Sequence, residues 1–304
     1  MEHHRDALGG DTVEGQRQKE FGSNLSIDRF IHTVKKLLTR VVQALPESIQ
    51  DQIRDRYWQI KSTLLYQSLY RVLDLEHTLD SGLTLKVASK GEWWAYNEIF
   101  VNGEYDVPIC TALKDRSPLR PFVVLDLGAN VGYFTFRVLD LIDRQEQGSF
   151  SSDITMVEGS PKTFLELEKR VRSGRLVAMG VRMVHGLVGL PRGNGVIREG
   201  ALHVKNTTVD IPARQGVNVD FVDLNFLMED KFEIDLLKCH IEGAELLFIQ
   251  NYADLLRKVK RAVFELHHHQ CDTKECVRIL EDSGFRQTIL RDNSACSVSL
   301  FSRS

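Results

Sequence analysis

Hydrophobic and polar residues follow two different patterns along the chain. Over residues 26–75 the apolar side chains recur every three or four positions, a spacing that predicts amphipathic helices. From Leu83 onward, short apolar runs alternate with helical periods instead. The patterns divide the chain into three expected parts, a flexible N-terminus over 1–25, a helical appendage over 26–80 and a strand-and-helix domain over 81–304.

The third part predicts an α/β sheet. Seven short apolar runs have the length of strands, at 122–125, 154–157, 181–184, 234–239, 261–266, 285–290 and 297–302. Strands that alternate with helices imply a mostly parallel sheet with helices on both faces. No long helix separates the last two runs, so we expect these two strands to pair antiparallel. Residues 83–88 predict an edge or hairpin strand, and residues 189–220 predict an inserted hairpin.

The helical appendage is expected to pack against the α/β domain. A lid, a dimer interface and a helix on a membrane surface are alternatives. The membrane role is the least favoured of these, because the basic face of the first helix is thin. The oligomeric state stays open, with a homodimer through the N-terminal helices as one arrangement.

Composition and charge exclude several classes of protein. With 42% hydrophobic and 27% charged residues the chain is typical of globular proteins, and its net charge of −3 lacks the basic footprint of a nucleic-acid binder. Its apolar stretches are shorter than the about 20 residues of a membrane span, and its N-terminus has no secretory pattern. The 5 cysteines include no Cys-x-x-Cys pair, which favours reduced thiols. We expect a cytoplasmic protein without a nucleic-acid partner or a membrane span.

The most informative segment joins the first core strand to a helix. It has the pattern Asp-x-Gly-x-x-x-Gly, with Asp126 at the strand end and Gly128 and Gly132 in the turn. In an open α/β sheet, ligands bind beyond the carboxyl ends of the strands, and glycines let the backbone approach them closely. The segment therefore predicts a nucleotide-type site, although a tight strand-to-helix turn without a ligand shares the pattern.

Two acids favour one class of ligand. Dinucleotide sites prefer Gly-x-Gly-x-x-Gly and hold a pyrophosphate, which a carboxylate at Asp126 would repel. S-adenosylmethionine has no phosphate and carries a sulfonium and an ammonium, so its charge is complementary. Glu158 ends the next strand, where an acid can accept hydrogen bonds from both ribose hydroxyls. The two acids together favour the methyl donor over a nicotinamide dinucleotide.

Three motifs give the chain a resemblance to a known family. They are Asp126-Leu-Gly-Ala-Asn-Val-Gly-Tyr-Phe-Thr135, Val157-Glu-Gly-Ser160 and Asp235-Leu-Leu-Lys-Cys-His-Ile-Glu-Gly-Ala-Glu245. With the upstream segment Glu98-Ile-Phe-Val-Asn-Gly-Glu-Tyr105, they resemble the FkbM family of S-adenosylmethionine-dependent methyltransferases over residues 85–300. The Lys-x-x-Ile-Glu-Gly-Ala-Glu stretch is the most specific of these pieces.

The resemblance implies a Rossmann-like, seven-stranded sheet whose final strand runs antiparallel, and methyl transfer mostly to hydroxyl oxygens of small molecules or sugars. By motif position, it places Glu158 at the ribose and lets Glu104 and Tyr105 close over the donor. The residues expected around the methionine end are Asp126, Gly128, Asn130 and Gly132. The remaining motif positions expected at the donor are Tyr133, Phe134, Gly159 and Ser160.

His240 departs from the family pattern, which usually has Asp at this position. The position follows the fourth core strand and would face the methyl group and the acceptor. An imidazole that titrates near neutrality is a candidate general base for a hydroxyl, and His267 is the second candidate. Glu242 is expected to orient the loop or to bind polar groups of the donor or acceptor. A lost metal ligand, an altered acceptor and a purely structural hydrogen bond are alternative interpretations of His240.

Three consecutive histidines, His267, His268 and His269, raise the question of a metal site. Along a strand their side chains alternate between two faces, and the nearby cysteines give no standard zinc spacing, so the run itself does not predict a metal site. A divalent ion held by His240, Glu265 and His267 remains an alternative.

Taken together, these features predict an S-adenosylmethionine-dependent O-methyltransferase with a small natural-product or sugar-like acceptor. The acceptor oxygen would attack the methyl carbon in line while sulfur leaves, and the protein would mainly hold the three atoms collinear. N-methylation of a small molecule and a donor-binding scaffold without turnover are the alternatives.

Overall fold

The computed structural model describes residues 69–70, 72–73, 75–146, 151–172, 175–198, 207–209 and 216–303. The N-terminus expected to be flexible, 1–25, and most of the expected helical appendage, 26–80, lie outside these residues. At the described end of that range, β1 (Leu75–Thr78) is a strand, and it pairs antiparallel with β2 (Thr84–Val87). The structure therefore confirms the hairpin strand expected at 83–88 and has strand where the helical appendage was expected to end.

Ten further strands follow along the chain. They are β3 (Phe122–Leu127), β4 (Ser152–Glu158), β5 (Val181–His185), β6 (Asn194–Arg198), β7 (Thr207–Val209), β8 (Val217–Asp220), β9 (Ile234–Cys239), β10 (Val259–His267), β11 (Arg286–Asp292) and β12 (Cys296–Ser302). Seven of them form one sheet in the order β11-β12-β10-β9-β3-β4-β5. Within this sheet β12 runs antiparallel to both of its neighbours, and the other pairs are parallel. The structure thus confirms the predicted Rossmann-like, seven-stranded and mostly parallel sheet with an antiparallel final strand.

Helices connect these strands on both faces of the sheet. They are α1 (Lys90–Tyr96), a π-helical turn (Asn97–Val101), α2 (Asp106–Lys114), α3 (Tyr133–Glu146), α4 (Pro161–Val171), α5 (Arg175–Ala178), α6 (Leu224–Leu227), α7 (Glu245–Asn251), α8 (Ala253–Arg257) and α9 (Thr273–Asp282). Side chains cap two of these helices, because Ser160 accepts from the Thr163 N–H and Asp272 accepts from the Glu275 N–H.

The central strands form the core because both of their faces are covered. Every residue of β3 and β9 is buried. Successive side chains of a strand point to opposite faces, so Val124 and Leu236 join one apolar layer while Leu125 and Leu237 join the other. Burial on both faces is also why these strands are continuous apolar runs in the sequence.

The inserted hairpin expected at 189–220 is instead a three-stranded antiparallel sheet in the order β7-β6-β8. Its small core consists of Leu187, Ile197 and Val219, with Phe221 packed against them. This sheet follows β5, so it extends from the same edge of the main sheet at which β3 and β4 end.

Candidate active site

The turn after β3 takes a backbone path that requires glycine. Gly128 has a φ of +72°, and a Cβ there would lie 1.8 Å from the backbone oxygen of His240. Asn130 also has a positive φ, +52°. The turn is held by its own amides, since the N–H groups of Gly128 and Ala129 both donate to the carbonyl of Val157. The close approach to His240 brings the loop after β9 directly against this turn.

A pocket opens where β3, β4 and β9 end. Of the residues predicted to bind the donor, those that line it are Tyr105, Gly128, Asn130, Tyr133, Phe134, Glu158, Gly159 and Ser160. His240 and Glu242 line the same pocket. Glu104, Asp126, Gly132 and His267 do not line it. The sequence motifs therefore converge on one cavity, with four exceptions.

Glu158 lies at the tip of β4 and is only 8% exposed. One carboxylate oxygen accepts from the Ser160 N–H and the other from the Asn130 N–H, both at 2.8 Å. Burial raises the pKa of Glu158, and these two hydrogen bonds oppose the rise. The carboxylate is thus fixed between two loops and borders the pocket, where each oxygen has a second lone pair for a ligand.

Asp126 has a different role from the one expected. Its side chain is fully buried, accepts from the Thr135 hydroxyl at 3.0 Å and lies 3.3 Å from the Lys238 ammonium. Lys238 stands opposite Asp126 in the register of β9 against β3, and its ammonium also donates to the carbonyl of Gly128. The charge of Asp126 is therefore compensated inside the protein, so it does not provide the predicted contact with a cationic donor.

Gly132 and Glu104 also contact other protein residues and do not line the pocket. At Gly132 a Cβ would lie 2.9 Å from the side chain of Leu167, so the glycine allows α3 and α4 to pack closely. The Glu104 carboxylate accepts a hydrogen bond from Arg291 instead of lining the pocket. Burial raises the pKa of Glu104, and the charge of Arg291 opposes the rise.

Imidazoles and carboxylates meet where the loop after β9 borders the pocket, and we call this part of the pocket the acceptor end. His240 Nδ1 lies 3.2 Å from a Glu265 oxygen, and His240 Nε2 lies 3.3 Å from Glu242 Oε1. The second oxygen of Glu242 lies 3.7 Å from His267 Nε2. The two rings are 5.2 Å apart between centroids. We call His240, Glu242 and His267 the acceptor-end triad.

The environment of His240 changes its expected chemistry. Burial lowers the pKa of His240, but the charges of Glu265 and Glu242 outweigh it and raise the pKa to about 9. In the ligand-free protein this imidazole is therefore protonated at neutral pH, and a protonated imidazole cannot accept a proton. This weighs against His240 as the neutral-pH base that the sequence placed first.

The histidine run separates because β10 ends at His267 and the chain turns at His268. His267 ends β10 and points to Glu242, whereas His268 Nε2 lies 3.1 Å from Asp292. Among the described residues, the group with suitable spacing for a metal ion is the acceptor-end triad. Glu242 therefore takes the place between the imidazoles that the sequence alternative gave to Glu265.

Several pocket residues were not identified from the sequence. Lys238 lines the pocket as the partner of Asp126, and a lysine inside an apolar core strand was the available signal. Leu187, Val188 and Ile197 supply an apolar wall from the inserted sheet and the loop before it. Glu98 lines the pocket too, and burial raises its pKa.

No protein-family model and no curated protein matches the chain. Similar solved structures include precorrin-6y C5,15-methyltransferase from Geobacter metallireducens GS-15, at 14% identity and a TM-score of 0.38, covering 66% of this chain and 88% of that one. Methyltransferase FkbM from Methylobacillus flagellatus KT has 15% identity and a TM-score of 0.43, covering 60% of this chain and 43% of that one. TrmK of M. capricolum, in complex with S-adenosyl-homocysteine, has 9% identity and a TM-score of 0.38, covering 65% and 68%.

At these identities and TM-scores, the donor and the acceptor have to be inferred from the pocket itself. Membership of the FkbM family stays a prediction. In the part of the chain that the structure describes, no helix combines the length and the hydropathy that crossing a membrane requires.

Proposed function

We propose that this chain is an S-adenosylmethionine-dependent methyltransferase of the FkbM type that methylates a hydroxyl oxygen of a small molecule. One observation carries the proposal: a single pocket is lined both by the fixed carboxylate of Glu158 and by His240 and Glu242 of the acceptor-end triad. A donor that spans this pocket brings its reactive end to His240 and Glu242.

Glu158 and the apolar wall are proposed to bind the adenosine half of the donor. The free lone pairs of the Glu158 carboxylate suit the two ribose hydroxyls. Leu187, Val188 and Ile197 offer an apolar surface for the adenine ring. At the turn, the Asn130 side-chain oxygen is buried without a hydrogen-bond partner, which suits the ammonium of the methionine end.

The backbone amides of the turn argue against a pyrophosphate ligand. A phosphate needs free N–H groups at the start of the helix. Here the N–H groups of Gly128 and Ala129 donate to Val157, that of Gly132 donates to Ala129, and that of Asn130 donates to Glu158. These four turn N–H groups are therefore not free to bind a phosphate, which fits a donor that has none.

The reaction proposed is a direct displacement. A lone pair of the acceptor oxygen forms the new C–O bond as the C–S bond breaks, and the sulfonium takes the bonding pair and becomes a neutral thioether. The acceptor hydroxyl loses its proton to His267, the second candidate base, because His240 is already protonated, and a positioned proton acceptor contributes typically about 10²–10⁴-fold. The pocket contributes mainly by holding oxygen, carbon and sulfur in line.

Calorimetry tests the donor, and methyl uptake tests the acceptor. We expect the purified chain to bind S-adenosylmethionine and S-adenosyl-homocysteine and not to bind NAD. A radiolabelled methyl group should then appear on a compound in a screen of hydroxylated metabolites. Binding of NAD by a chain that ignores both sulfur ligands would contradict the proposal.

A further inference from the structure

The acceptor-end triad contains buried polar atoms without partners. His240 Nε2 and His267 Nδ1 are buried and make no hydrogen bond within the structure. His240 Nε2 thus faces Glu242 Oε1 at 3.3 Å without hydrogen-bond geometry, an arrangement that an ion between the two groups would satisfy. Both imidazoles flank the carboxylate of Glu242.

The spacing of the triad fits one ion. The atoms that the three side chains offer all lie within 4.8 Å of one another. Glu242 lies 3.3 Å from one imidazole nitrogen and 3.7 Å from the other. Two ligands on a tetrahedral ion, each at about 2.0–2.1 Å, are separated by about 3.4 Å. Small side-chain rotations would therefore bring all three atoms onto a common centre.

Glu265 and Glu245 fix the positions of the triad residues. A ring that binds a metal through one nitrogen usually has its other nitrogen fixed by a carboxylate, and Glu265 lies 3.2 Å from His240 Nδ1. Glu245 accepts from the N–H groups of Ile241 and Gly243, which fixes the backbone on both sides of Glu242. Glu242 itself has a φ of +54°, a strained conformation of the kind found at functional sites.

The charge around the triad also favours a cation. The carboxylates of Glu242, Glu245 and Glu265 all lie within 4.0 Å of one of the two imidazoles. Arg291 lies 3.7 Å from Glu265 and also bonds Glu104, while Lys238 pairs with Asp126. A divalent ion at the triad would interact favourably with Glu242, whose carboxylate oxygens face both imidazoles.

We propose that His240, Glu242 and His267 bind one divalent transition-metal ion of the Zn²⁺ or Co²⁺ type at the acceptor end of the pocket. Two imidazoles and one carboxylate favour such ions over Mg²⁺ and Ca²⁺, which prefer oxygen ligands. Its catalytic role rests on the proposed methyl transfer. With both imidazoles engaged by the ion, an open position on the ion would hold the acceptor hydroxyl and lower its pKa, and the hydroxyl proton would pass to solvent instead of to a histidine.

Cobalt titration of the chelator-treated full chain tests the site. We expect one Co²⁺ per chain, with ligand-field absorption and no thiolate-to-cobalt band. His240→Ala and His267→Ala should each weaken binding at least about tenfold, and Glu265→Gln about 10–100-fold, the range for a group that orients a metal ligand. His268→Ala is the matched control, because this histidine pairs with Asp292 outside the triad, and it should bind Co²⁺ like the parent chain.

Three results would overturn the metal site: no Co²⁺ bound, Co²⁺ retained by both histidine variants, or a thiolate band that assigns the ion to the cysteines. Circular dichroism and S-adenosylmethionine calorimetry on every variant show whether each one folds. These measurements also separate the two proposals. Donor binding without metal binding removes only the metal site, and triad-dependent metal binding without donor binding removes only the methyltransferase.

Discussion

The two ends of the pocket are built in different ways. At the donor end, Glu158 is held by backbone N–H groups, and the turn amides are bonded to Val157 and Ala129. At the acceptor end, side chains face one another, and nitrogens of His240 and His267 lack hydrogen-bond partners. The donor end is thus held mainly by backbone hydrogen bonds, with one unpaired side-chain oxygen on Asn130, whereas the acceptor end consists of facing side chains with unpaired nitrogens.

This difference suits the two tasks proposed for the pocket, which are donor binding at one end and proton and methyl transfer at the other. A site fixed by backbone hydrogen bonds changes little when the ligand arrives, so it can bind a constant donor with a constant shape. Side chains with shifted pKa values and unpaired nitrogens are common where bonds are made and broken. The donor end therefore explains which cofactor the pocket accepts, and the acceptor end holds the reactive groups.

Lys238→Met should have the largest effect, because Lys238 neutralises a buried carboxylate beneath the turn at the donor end. Its ammonium pairs with the fully buried Asp126 and donates to Gly128 in the turn. Removing one partner of a buried ion pair leaves an uncompensated charge and costs about 3–5 kcal/mol. Denaturant unfolding should show a loss of this size, with weaker donor binding in the protein that remains folded.

The double variant Asp126→Asn with Lys238→Met provides the control. It removes both charges, so much of the stability lost in Lys238→Met should return. If the single and double variants are equally destabilised, packing of the lysine stem and not the ion pair explains the loss.

The central strands could be predicted because they are covered on both faces and are therefore continuous apolar runs. All seven strands of the sheet overlap the strand segments predicted from the sequence. The inserted sheet was less predictable. Strand β8 pairs with β6, although β7 lies between them in the sequence, and no turn motif specifies this pairing.

The site was predictable where a motif dictates the backbone. Glu158 was identified because an acid at a strand tip has a fixed position relative to the turn. Asp126 was misassigned because its partner depends on strand register, which places Lys238 opposite it. The meeting of Glu242 with both histidines depends on the conformation of the loop after β9, and residue spacing does not encode that conformation.

Glu158→Gln tests the donor end directly and should have the second largest effect. The amide keeps the size of the side chain but replaces one acceptor oxygen with a donor. Hydrogen bonds to charged groups are worth about 1.5–3 kcal/mol, so S-adenosylmethionine affinity should fall about 10–100-fold. Glu166→Gln, on the exposed side of α4, is the control. Equal affinity in the two variants would remove Glu158 from the ribose site.

The pH dependence of donor binding should follow from the same carboxylate. Because burial raises the pKa of Glu158, its ionised form is lost at a higher pH than for an ordinary glutamate. The ionised form accepts the ribose hydroxyls, so affinity should be full above this pKa and fall as the pH decreases through it. Calorimetry over a pH series should show this fall in the parent chain. The series should be flatter in Glu158→Gln, and an identical slope in both chains would assign the titration to another group.

Asp272→Ala should have the smallest effect and leave both ends of the pocket intact. Asp272 caps α9 by accepting from the Glu275 N–H at 3.1 Å, and loss of such a cap costs typically about 1 kcal/mol. The free energy of unfolding should fall by this amount, while donor affinity stays at the parent value because the pocket does not include this residue. Asp272→Asn retains a capping oxygen and should recover most of the stability. A drop in donor affinity together with stability would show that the start of α9 is coupled to the pocket, and the two ends would then no longer be independent of their surroundings.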